Sequence, residues 1–501
     1  MAISHLLTRS VADFPVVTAL GTVIGVLCVI SSAVYNVYVH PLSRYPGPRL
    51  AAASRLWFCW HLIRGELPFV IHELHLHLKY GDVVRVAPDE LSYTHPDAWN
   101  QIYGLRPRKR EIMKDPTFYS SLPSGKGSIV NADRERHGHL RKLMSYGFSE
   151  RALREQESVV RAYADFFHQR IMETLGGKGG EVDLVRWYNF FTFDVMGHLV
   201  FGESFDCLQS TGYNPWVALI FDSVRIGGLL RSIKFWPWLT PIVQHLVPAK
   251  LQERRREQKR IARQKAAYRK SIEDGRRDLI SSLLQPDSGV TDAEYQSTVE
   301  SLIIAGSETT ATLLAGVTFH LLKNPDKLKR ATMEVRNAFS SPEAITFVNV
   351  NKLPYLIACL TEALRIYPPV GDGFPRNTGE NTEILLDKPV PPNTLVRVTH
   401  WATFHSPSNF TRPDEFIPER WLEGEHGFEN DRKSALQPFH VGPRNCIGRN
   451  LAYMEMRLLM ALVLFRFDME LCDVSEDWDR QKSFLLWAKP ELMVRLSPRT
   501  V

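Results

Sequence analysis

The sequence is poor in cysteine, and its six cysteines are scattered singly between residues 28 and 472. No two of them form a CxxC pair, so the pattern supports neither a zinc site nor a disulfide framework. We therefore expect free thiols in a reducing compartment, most of them buried as small apolar side chains. Cys446 differs, because it lies in FHVGPRNCIG (439–448), where two glycines and a proline predict a shaped loop.

Strong charge imbalance, internal repeats and nucleotide-binding fingerprints are also missing. The 61 basic and 55 acidic residues leave a net charge of +6, which is too balanced for a dedicated nucleic-acid-binding protein. The stretch LGGKGGE (175–181) imitates a phosphate-binding loop, but it lacks the GK[ST] ending, and a plain turn between helices explains it better. The length of 501 residues and the 44% hydrophobic content predict a large globular body.

The N-terminal region contains a long uncharged segment. From Phe14 to Val39 the chain carries no charged side chain over 26 residues, more than the roughly 20 that span a bilayer core as a helix. Arg44, Arg49 and Arg55 follow, and this basic flank predicts that the rest of the chain is cytosolic. A cleaved signal peptide is the alternative, but its apolar region would be shorter and would end at a small-residue cleavage site.

These patterns divide the chain into an N-terminal membrane anchor (1–39), a stiff, non-helical proline-rich linker (40–50) and a large domain (51–501). In the large domain, long helical patterns alternate irregularly with short β-like pieces such as DVVRVAP (82–88) and EILLDKPV (383–390). We therefore predict a mainly α fold with small β-sheets. The basic run from Lys250 to Arg277 predicts one solvated helix, with contact to a membrane or an acidic partner as the alternative.

The most informative helical pattern begins after Thr291, which can form a capping box with Glu294. It continues to Asn324, which precedes a proline. About 30 helical residues extend roughly 45 Å, so this helix is long enough to cross a whole domain.

The middle of this helix reads AGSETT (305–310). Thr309 shares a face with Ala305 and Leu313, so a hydroxyl points where packing residues are expected, and Glu308 adds a carboxylate beside it. A threonine whose hydroxyl bonds back to the preceding turn is the alternative to a functional group.

Two further motifs, EALR (362–365) and PERW (418–421), lie between this helix and the cysteine loop. In order, AGSETT, EALR, PERW and FHVGPRNCIG resemble the cytochrome P450 haem-thiolate monooxygenases, whose loop pattern FxxGxRxCxG is matched at every fixed position. The resemblance covers nearly the whole chain. The N-terminal segment and HPLSRYPGPRLAA are similar to the microsomal fungal branch, and the overall pattern to the isotrichodermin hydroxylase-like group of fungal secondary metabolism.

The resemblance implies the cytochrome P450 fold and a haem b whose iron is bound by the thiolate of Cys446. A thiolate ligand pushes electron density toward bound dioxygen and favours O–O cleavage, and the iron and the loop N–H groups are expected to lower the pKa of the thiol. Arg444 and Arg376 are implied as partners of the haem propionates. His137 and Arg141 lie where many relatives carry WxxxR, which implies a propionate contact for them too, although His137 replaces the Trp and a surface histidine is the alternative.

The remaining positions follow from the same resemblance. Glu362, Arg365 and Arg420 are implied to form a buried, structural ion-pair cluster. The implied wall of the substrate pocket comprises Phe118, Tyr119, Leu302, Gly371 to Phe374 and Phe484 to Trp487. Within it, Asp372 either contacts a polar substrate group or is a solvent-facing turn residue.

The implied activity is hydroxylation or a related oxidation of a largely apolar small molecule by O2, with electrons from NADPH and protons delivered by Thr309 and Glu308. Because the sequence has no flavin or nicotinamide fingerprint, the electrons are expected from a separate NADPH–cytochrome P450 reductase. We expect this partner near Arg444, Arg449 and Arg457.

The implied location is the endoplasmic reticulum membrane, with a single span in contact with lipid and a cytosolic catalytic domain. Two other functions stay open at this point. One is a haem-thiolate isomerase or dehydratase that needs no external electrons, and the other is a non-catalytic haem-binding membrane protein.

Deleting residues 1–39 tests the predicted anchor. We expect most of the truncated protein to leave carbonate-washed membranes, with some residual attachment through the aromatic stretch KFWPWLTPIV (234–243). Fractionation beside the full-length chain measures the difference. Full retention of the truncated protein in the washed membranes would contradict the prediction.

Overall fold

The computed structural model describes residues 2–499 except 77–79, 107–110, 123–126, 215–216, 218–226, 240, 242–248 and 273–277. Within this part of the chain, helices form most of the structure and three small sheets lie beside them. The predicted fold class, mainly α with small β-sheets, is therefore confirmed.

The helices and strands follow one another irregularly along the chain. The α-helices are numbered in chain order as α1 (Ala2–Val34), α2 (Arg49–Ala53), α3 (Leu56–Arg64), α4 (Leu67–Leu76), α5 (Asp97–Tyr103), α6 (Pro116–Tyr119), α7 (Arg134–Met144), α8 (Glu150–Glu155), α9 (Glu157–Thr174), α10 (Leu184–Phe201), α11 (Cys207–Ser210), α12 (Ala249–Ser271), α13 (Asp292–Lys323), α14 (Pro325–Ala338), α15 (Pro354–Ile366), α16 (His400–Phe404) and α17 (Arg449–Arg466). The strands are β1 (Val83–Ala87), β2 (Glu90–Tyr93), β3 (Met113–Lys114), β4 (Gly180–Asp183), β5 (Arg376–Asn377), β6 (Glu383–Leu385), β7 (Lys388–Val390), β8 (Leu395–Val398), β9 (Phe467–Leu471) and β10 (Met493–Pro498).

Helix α13 is the predicted long helix. Its capping box is present, because the Thr291 hydroxyl accepts from the Glu294 N–H at 3.3 Å and the Glu294 carboxylate accepts from the Thr291 N–H at 2.9 Å. The helix ends at Lys323, before Asn324 and the proline, as predicted. Most of it is buried, and a hydrogen bond of 2.8 Å between the Tyr188 and Thr318 hydroxyls joins it to α10. A rigid helix therefore crosses the domain.

The sheets are small and mixed. The largest has the order β1-β2-β8-β5-β3, with β2 and β8 parallel and the other pairs antiparallel. Strand β1 lies within the predicted stretch 82–88. EILLDKPV, by contrast, is a hairpin of β6 and β7, because Leu386 and Asp387 take φ values of +47° and +58° and turn the chain.

Two other predicted segments are partly different in the structure. The turn in LGGKGGE connects α9 to strand β4, which pairs with β10, so it joins a helix to a strand rather than two helices. The basic run is helical as α12 up to Ser271, and its last residues, 273–277, lie outside the described part of the chain.

The N-terminal segment is a helix that stands outside the body. Its apolar part, Thr18–Val39, is 22 residues long with a mean hydropathy of 1.9 and is not buried by the protein, so it is long and apolar enough to cross a membrane. It ends in a π-helical turn, Tyr35–Val39. The linker is not free of helix as predicted, because a 3₁₀ turn forms at Pro41–Arg44 and α2 begins at Arg49. Proline at the first position of a helical turn is favourable, since its missing N–H needs no partner there.

All six cysteines are free thiols, as expected. Cys59, Cys207 and Cys359 are buried apolar side chains. Cys28 differs, because it is exposed on the N-terminal helix, and Cys472 is half-buried.

A buried carboxylate, Glu362, is the centre of the predicted ion-pair cluster. It accepts hydrogen bonds from Arg365 at 2.7 and 3.0 Å, from Arg420 at 3.1 Å, from the Ile417 N–H at 3.0 Å and from the Trp421 indole at 2.8 Å. The side chains of Glu362, Arg365 and Arg420 are completely buried. Burial alone would raise the pKa of Glu362, but the charges of Arg365 and Arg420 bring it below its ordinary value.

Substitution of Glu362 by Gln tests this cluster. The variant leaves the buried Arg365 without its counter-charge, whereas Arg420 keeps its ion pair with Asp431, and we expect it to lose about 3–5 kcal/mol of unfolding free energy. The wild-type contribution is present at neutral pH and is lost as the pH falls below about 4, because the folded-state pKa is the lower one.

Urea unfolding of the haem-loaded protein measures this loss. Glu155→Gln is the matched control, since Glu155 pairs with Arg151 at 3.8 Å on the surface, and such a pair contributes at most about 1 kcal/mol. Equal unfolding midpoints for the two variants would contradict the prediction.

Candidate active site

A cavity of about 320 Å³ is lined by the middle of α13, the cysteine loop and the first turns of α17. Most of its walls are apolar, with Ile129, Leu302, Leu313, Val370 and Phe374 among them. The sequence motifs AGSETT and FHVGPRNCIG, which are far apart in the chain, therefore face one space. Such a largely apolar cavity with a few polar groups is typical of a binding site for a small molecule or cofactor.

The cysteine loop is held in a specific conformation. Its turn is closed by the Cys446 N–H, which donates to the Phe439 carbonyl at 2.9 Å, and by the Asn445 N–H, which donates to the Gly442 carbonyl at 3.1 Å. Gly442 has φ +77°, and a Cβ there would lie 2.0 Å from the Tyr103 carbonyl oxygen. Only glycine fits this position.

Cys446 faces the cavity from this loop. The thiol is exposed to the cavity, but desolvation by the surrounding protein raises its pKa, and the Gly448 N–H and the charges of Arg141 and Arg449 offset this only in part. The loop N–H thus acts in the expected direction, and the expected effect of the iron comes in addition. A bound metal cation would have to supply the remaining stabilisation of the thiolate.

One edge of the cavity is strongly cationic. Lys114, His137, Arg141, Arg376 and Arg444 all line it. Burial, with the charges of Arg444 and Arg376, lowers the pKa of Lys114 to about 7, and the same effects lower that of His137 to about 3. Burial is the larger cause of both shifts, and the repulsion between the positive groups adds to it, with Glu111 offsetting only part of the effect on Lys114.

The predicted arginines differ in how many of their donors are already used. Arg376 is buried and donates to the Tyr119 hydroxyl at 2.8 Å, but its Nε has no hydrogen-bond partner in the described structure. Arg444 pairs with Glu111 and donates to the Ala132 carbonyl at 3.1 Å. Both arginines line the cavity, and Arg376 has a buried donor without a partner among the described residues.

Arg141 and His137 lie on α7. Arg141 donates to the Asn445 carbonyl at 2.6 Å and to the Asn445 side chain, so it supports the cysteine loop directly. His137 is buried against the cavity and is not a surface histidine.

Four titratable residues of the cavity were missed in the sequence, namely Lys114, His400, His440 and Glu455. Lys114 lies on the two-residue strand β3, and nothing in the sequence around it signals a site. Glu455, on α17, is the acid among the described residues that line the cavity, and burial raises its pKa to about 8. It follows Cys446 by nine positions, and the helical pattern places it beside the apolar residues Leu451 and Met456.

Thr309 and Glu308 point in different directions. Thr309 lines the cavity, and its hydroxyl donates to the Ala305 carbonyl at 2.5 Å. The two sequence interpretations of Thr309 are a hydroxyl that bonds back to the preceding turn and a functional group that faces the site. Its position agrees with both.

Glu308 is not on the cavity wall. Its buried carboxylate forms an ion pair with Lys489, whose Nζ also donates to the Thr312 hydroxyl at 2.6 Å. Burial raises the pKa of Glu308, and Lys489 offsets this only in part. Successive residues of a helix diverge by about 100°, which explains why the carboxylate and the Thr309 hydroxyl do not share a face.

The substrate wall agrees with the sequence interpretation in part. Tyr119, Leu302 and Phe374 line the cavity, whereas Phe118 and the segment 484–487 do not. Phe118 is buried behind the wall, with its ring centroid 5.9 Å from that of Phe374.

Asp372 is neither in the cavity nor in solvent. Its side chain is only 2% exposed and is paired with Arg397 at 2.8 Å and with Arg231 at 3.1 Å. Burial alone would raise the pKa of Asp372, but these two arginines bring it below its ordinary value. The expectation of a solvent-facing turn residue is therefore wrong.

Comparison with known proteins gives one consistent result. The profile of the Cytochrome P450 family matches residues 51–496. The chain is similar to the cytochrome P450 monooxygenase lcsI of Purpureocillium lilacinum, with 42% identity over 99% of this chain and 97% of that protein. It is 43% identical to the monooxygenase astA of Talaromyces wortmannii, over 93% and 94% of the two chains. It is also 40% identical to averantin hydroxylase of Dothistroma septosporum, over 95% and 90%.

The residues of the cavity fit a haem held by a thiolate. The apolar walls suit the porphyrin, and Cys446 supplies a free thiol on one side. The cluster of cations, in which Arg444 is paired with Glu111, and the unpaired Nε of Arg376 suit two propionates. Glu455 does not oppose this, because a carboxyl group with a pKa near 8 is largely uncharged at neutral pH.

Replacement of Cys446 by Ala tests the ligand. The variant lacks the only thiol that lines the cavity among the described residues, so we expect it to lose the red-shifted Soret band of reduced, CO-bound thiolate haem and all oxygenase activity. Absorbance spectra of the reduced, CO-bound protein and a product assay measure both properties, with Cys359→Ala, a buried cysteine away from the cavity, as the control. Persistence of the band in Cys446→Ala excludes this cysteine as the ligand.

Proposed function

This chain belongs to the cytochrome P450 monooxygenase family, and we propose that it is a membrane-anchored enzyme that hydroxylates a largely apolar small molecule with O2 and NADPH-derived electrons. The observation that carries the proposal is the cavity that combines the Cys446 thiol, a cationic edge and the Thr309 hydroxyl. The haem, when bound, supplies the binding of O2 and the cleavage of its O–O bond. The similarity to averantin hydroxylase and to other fungal monooxygenases supports hydroxylation in fungal secondary metabolism.

Four residues of the chain would hold the haem. Cys446 would bind the iron as thiolate, and Arg376, Arg444 and Lys114 would pair with the propionates. Arg376 would use a donor that has no protein partner in the described structure, and Arg444 would bind a propionate in addition to, or in place of, Glu111. Arg141 acts on the same centre indirectly, because its two hydrogen bonds to Asn445 fix the residue before the cysteine.

The apolar wall orients the substrate and keeps water out. Leu302, Val370 and Phe374 offer no hydrogen bond from their side chains, so an apolar molecule is preferred there. The buried Asp372 ion pairs fix the loop that carries Phe374, two residues further along.

Proton delivery begins at Thr309 Oγ1. Because its hydrogen points at the Ala305 carbonyl, the lone pairs of Oγ1 are free to accept a hydrogen bond from a water in the cavity. Transfer of a proton into the cavity requires the hydroxyl to leave Ala305 and to be reprotonated from behind. Glu308 is the nearby acid with a raised pKa, and it can serve this role once its carboxyl group leaves Lys489.

Electrons come from a separate NADPH–cytochrome P450 reductase in this proposal. The surface arginines available to it are fewer than the sequence implies, because Arg444 is turned inward to Glu111 and the cavity. Arg449 is exposed at the start of α17, and Arg457 lies partly exposed on the same helix over the Tyr453 ring. These two are the charges that a docking partner would meet.

Membrane attachment is supported by more than the N-terminal helix. Leu56, Trp60 and Ile63 on α3 are exposed, as is Trp238, whose side chain is 67% accessible. Exposed apolar side chains of this kind suit the lipid interface of the endoplasmic reticulum. Within KFWPWLTPIV, residues 240, 242 and 243 lie outside the described part of the chain.

Substitution of Thr309 by Val tests the proton-delivery role. The two side chains have nearly the same shape, so we expect little change in stability, whereas loss of a positioned proton donor costs about 10²–10⁴-fold in the step that it assists. With a reductase and a converted substrate, NADPH oxidation should continue while product falls and hydrogen peroxide appears. The measurement is the ratio of product to NADPH consumed.

Thr361→Val is the matched control, because the Thr361 hydroxyl also bonds back to the preceding helical turn, to the Ile357 carbonyl at 2.7 Å, but does not line the cavity. An unchanged ratio in Thr309→Val removes Thr309 from the mechanism. Product formation without NADPH consumption by the wild type would indicate an isomerase or dehydratase, and the absence of both activities would indicate a non-catalytic protein.

A further inference from the structure

The linker between the membrane helix and the catalytic domain is bound to the domain along its length. The Asn36 side chain donates to the Ala53 carbonyl at 3.1 Å, and the Arg85 N–H donates to the Pro46 carbonyl at 2.7 Å. Leu42 is fully buried, and the Tyr45 hydroxyl donates to the Pro389 carbonyl at 3.0 Å. These contacts tie the linker to α2, to β1 and to the β6–β7 hairpin.

Arg85 is the side chain that connects the membrane helix itself to the body. It belongs to β1, is 1% exposed and donates to the carbonyl of Asn36 at 2.9 Å. Its other donors reach the Pro88 carbonyl at 2.6 and 3.1 Å. Burial lowers its pKa to about 10, so it stays charged at neutral pH.

Asn36 lies in the π-helical turn with which the membrane helix ends. The last carbonyls of a helix lack partners within the helix, and a cation near them is stabilised by the helix dipole. Arg85 supplies both a donor and a positive charge at this end. A buried arginine whose side-chain bonds all go to main-chain carbonyls acts on backbone position, because it has no side-chain partner to pair with.

Gly47 shows how closely the linker lies against β1. A Cβ at this position would be 2.3 Å from the Arg85 carbonyl oxygen, a contact that no side chain can make. The main chains of the linker and of β1 are thus in direct contact. A flexible tether would leave such a position open.

We propose that Arg85 locks the end of the membrane helix to the catalytic domain, so that the domain rests on the lipid bilayer in one orientation. This inference depends on the proposed membrane anchoring. Because α2 and α3 directly follow the linker, a fixed linker would hold the exposed Leu56, Trp60 and Trp238 against the bilayer as a second lipid contact. The segment that carries Trp238 packs on α3, with the Phe58 and Phe235 ring centroids 6.1 Å apart.

The test measures orientation in the full-length, haem-loaded protein on oriented phosphatidylcholine bilayers. Linear dichroism of the Soret band reports the tilt of the haem, and hydrogen exchange reports the opening of amides 36–48. For the wild type we expect one defined tilt. For Arg85→Met, which keeps the length but removes the donors, we expect a dichroic ratio near the isotropic value and exchange about tenfold faster or more.

Two further variants make the result specific. Ser43→Ala changes an exposed linker residue and should behave as wild type. Asn36→Ala removes only the hydrogen bond to the Ala53 carbonyl. We expect it to change the dichroic ratio and the exchange rate in the same direction as Arg85→Met, but by less. This variant can be measured even where Arg85→Met does not fold.

The outcomes separate the lock from the anchoring. An isotropic wild type that resists carbonate extraction, or an Arg85→Met protein with wild-type tilt and exchange, overturns the lock and leaves the anchoring intact. A wild type that does not enter the bilayer at all overturns the anchoring, and the inferred orientation with it.

Discussion

The carboxylate of Glu362 is the acceptor on which the geometry of the active site depends. Its partner Arg365 also donates to the carbonyls of Phe404, Pro413 and Glu415 at 2.9, 2.5 and 2.9 Å. One ion pair on α15 thereby fixes a long irregular segment that would otherwise have few regular backbone bonds. Since this segment leads directly to the cysteine loop, the position of Cys446 relative to α13 follows from a cluster that contacts no ligand. Removing one partner of such a buried pair costs far more than the pair contributes, because a charge is left unpaired in a medium of low dielectric.

The same physical chemistry explains the cationic edge of the cavity. Lys114, Arg141, Arg376 and Arg444 are held near one another although their charges repel. Such an arrangement is unfavourable by itself and becomes favourable when an anionic ligand enters. The free energy stored in this repulsion is available to binding, so ligand and fold are expected to stabilise one another.

The sequence predicted those features that depend on neighbouring residues. The capping box at Thr291, the end of α13 before a proline, and strand β1 are all set within a few residues, and the structure confirms them. The motif around Cys446 was also recognisable, because its glycine is required by the local turn. The features that could not be predicted depend on partners distant in the chain. Asp372 forms an ion pair with Arg231, 141 residues away in the chain, and Arg444 forms one with Glu111, 333 residues away. The neighbouring residues give no sign of such distant partners. The sequence around Asp372 therefore indicates a surface turn, and Arg444 is interpreted there as a charge for docking a partner.

The ion pair between Glu308 and Lys489 has a consequence for the order in which the protein is made. Glu308 leaves the ribosome 181 residues before the lysine that neutralises it, and domains begin to fold while synthesis continues. Until the last strand region has emerged, helix α13 carries a carboxylate that cannot be buried without a counter-charge, except in its protonated form. The nascent core can therefore close around α13 before the C-terminal segment arrives only with Glu308 protonated. A chain interrupted shortly before residue 489 would retain every haem-binding residue named above and still lack the partner that lets α13 be buried with Glu308 ionised.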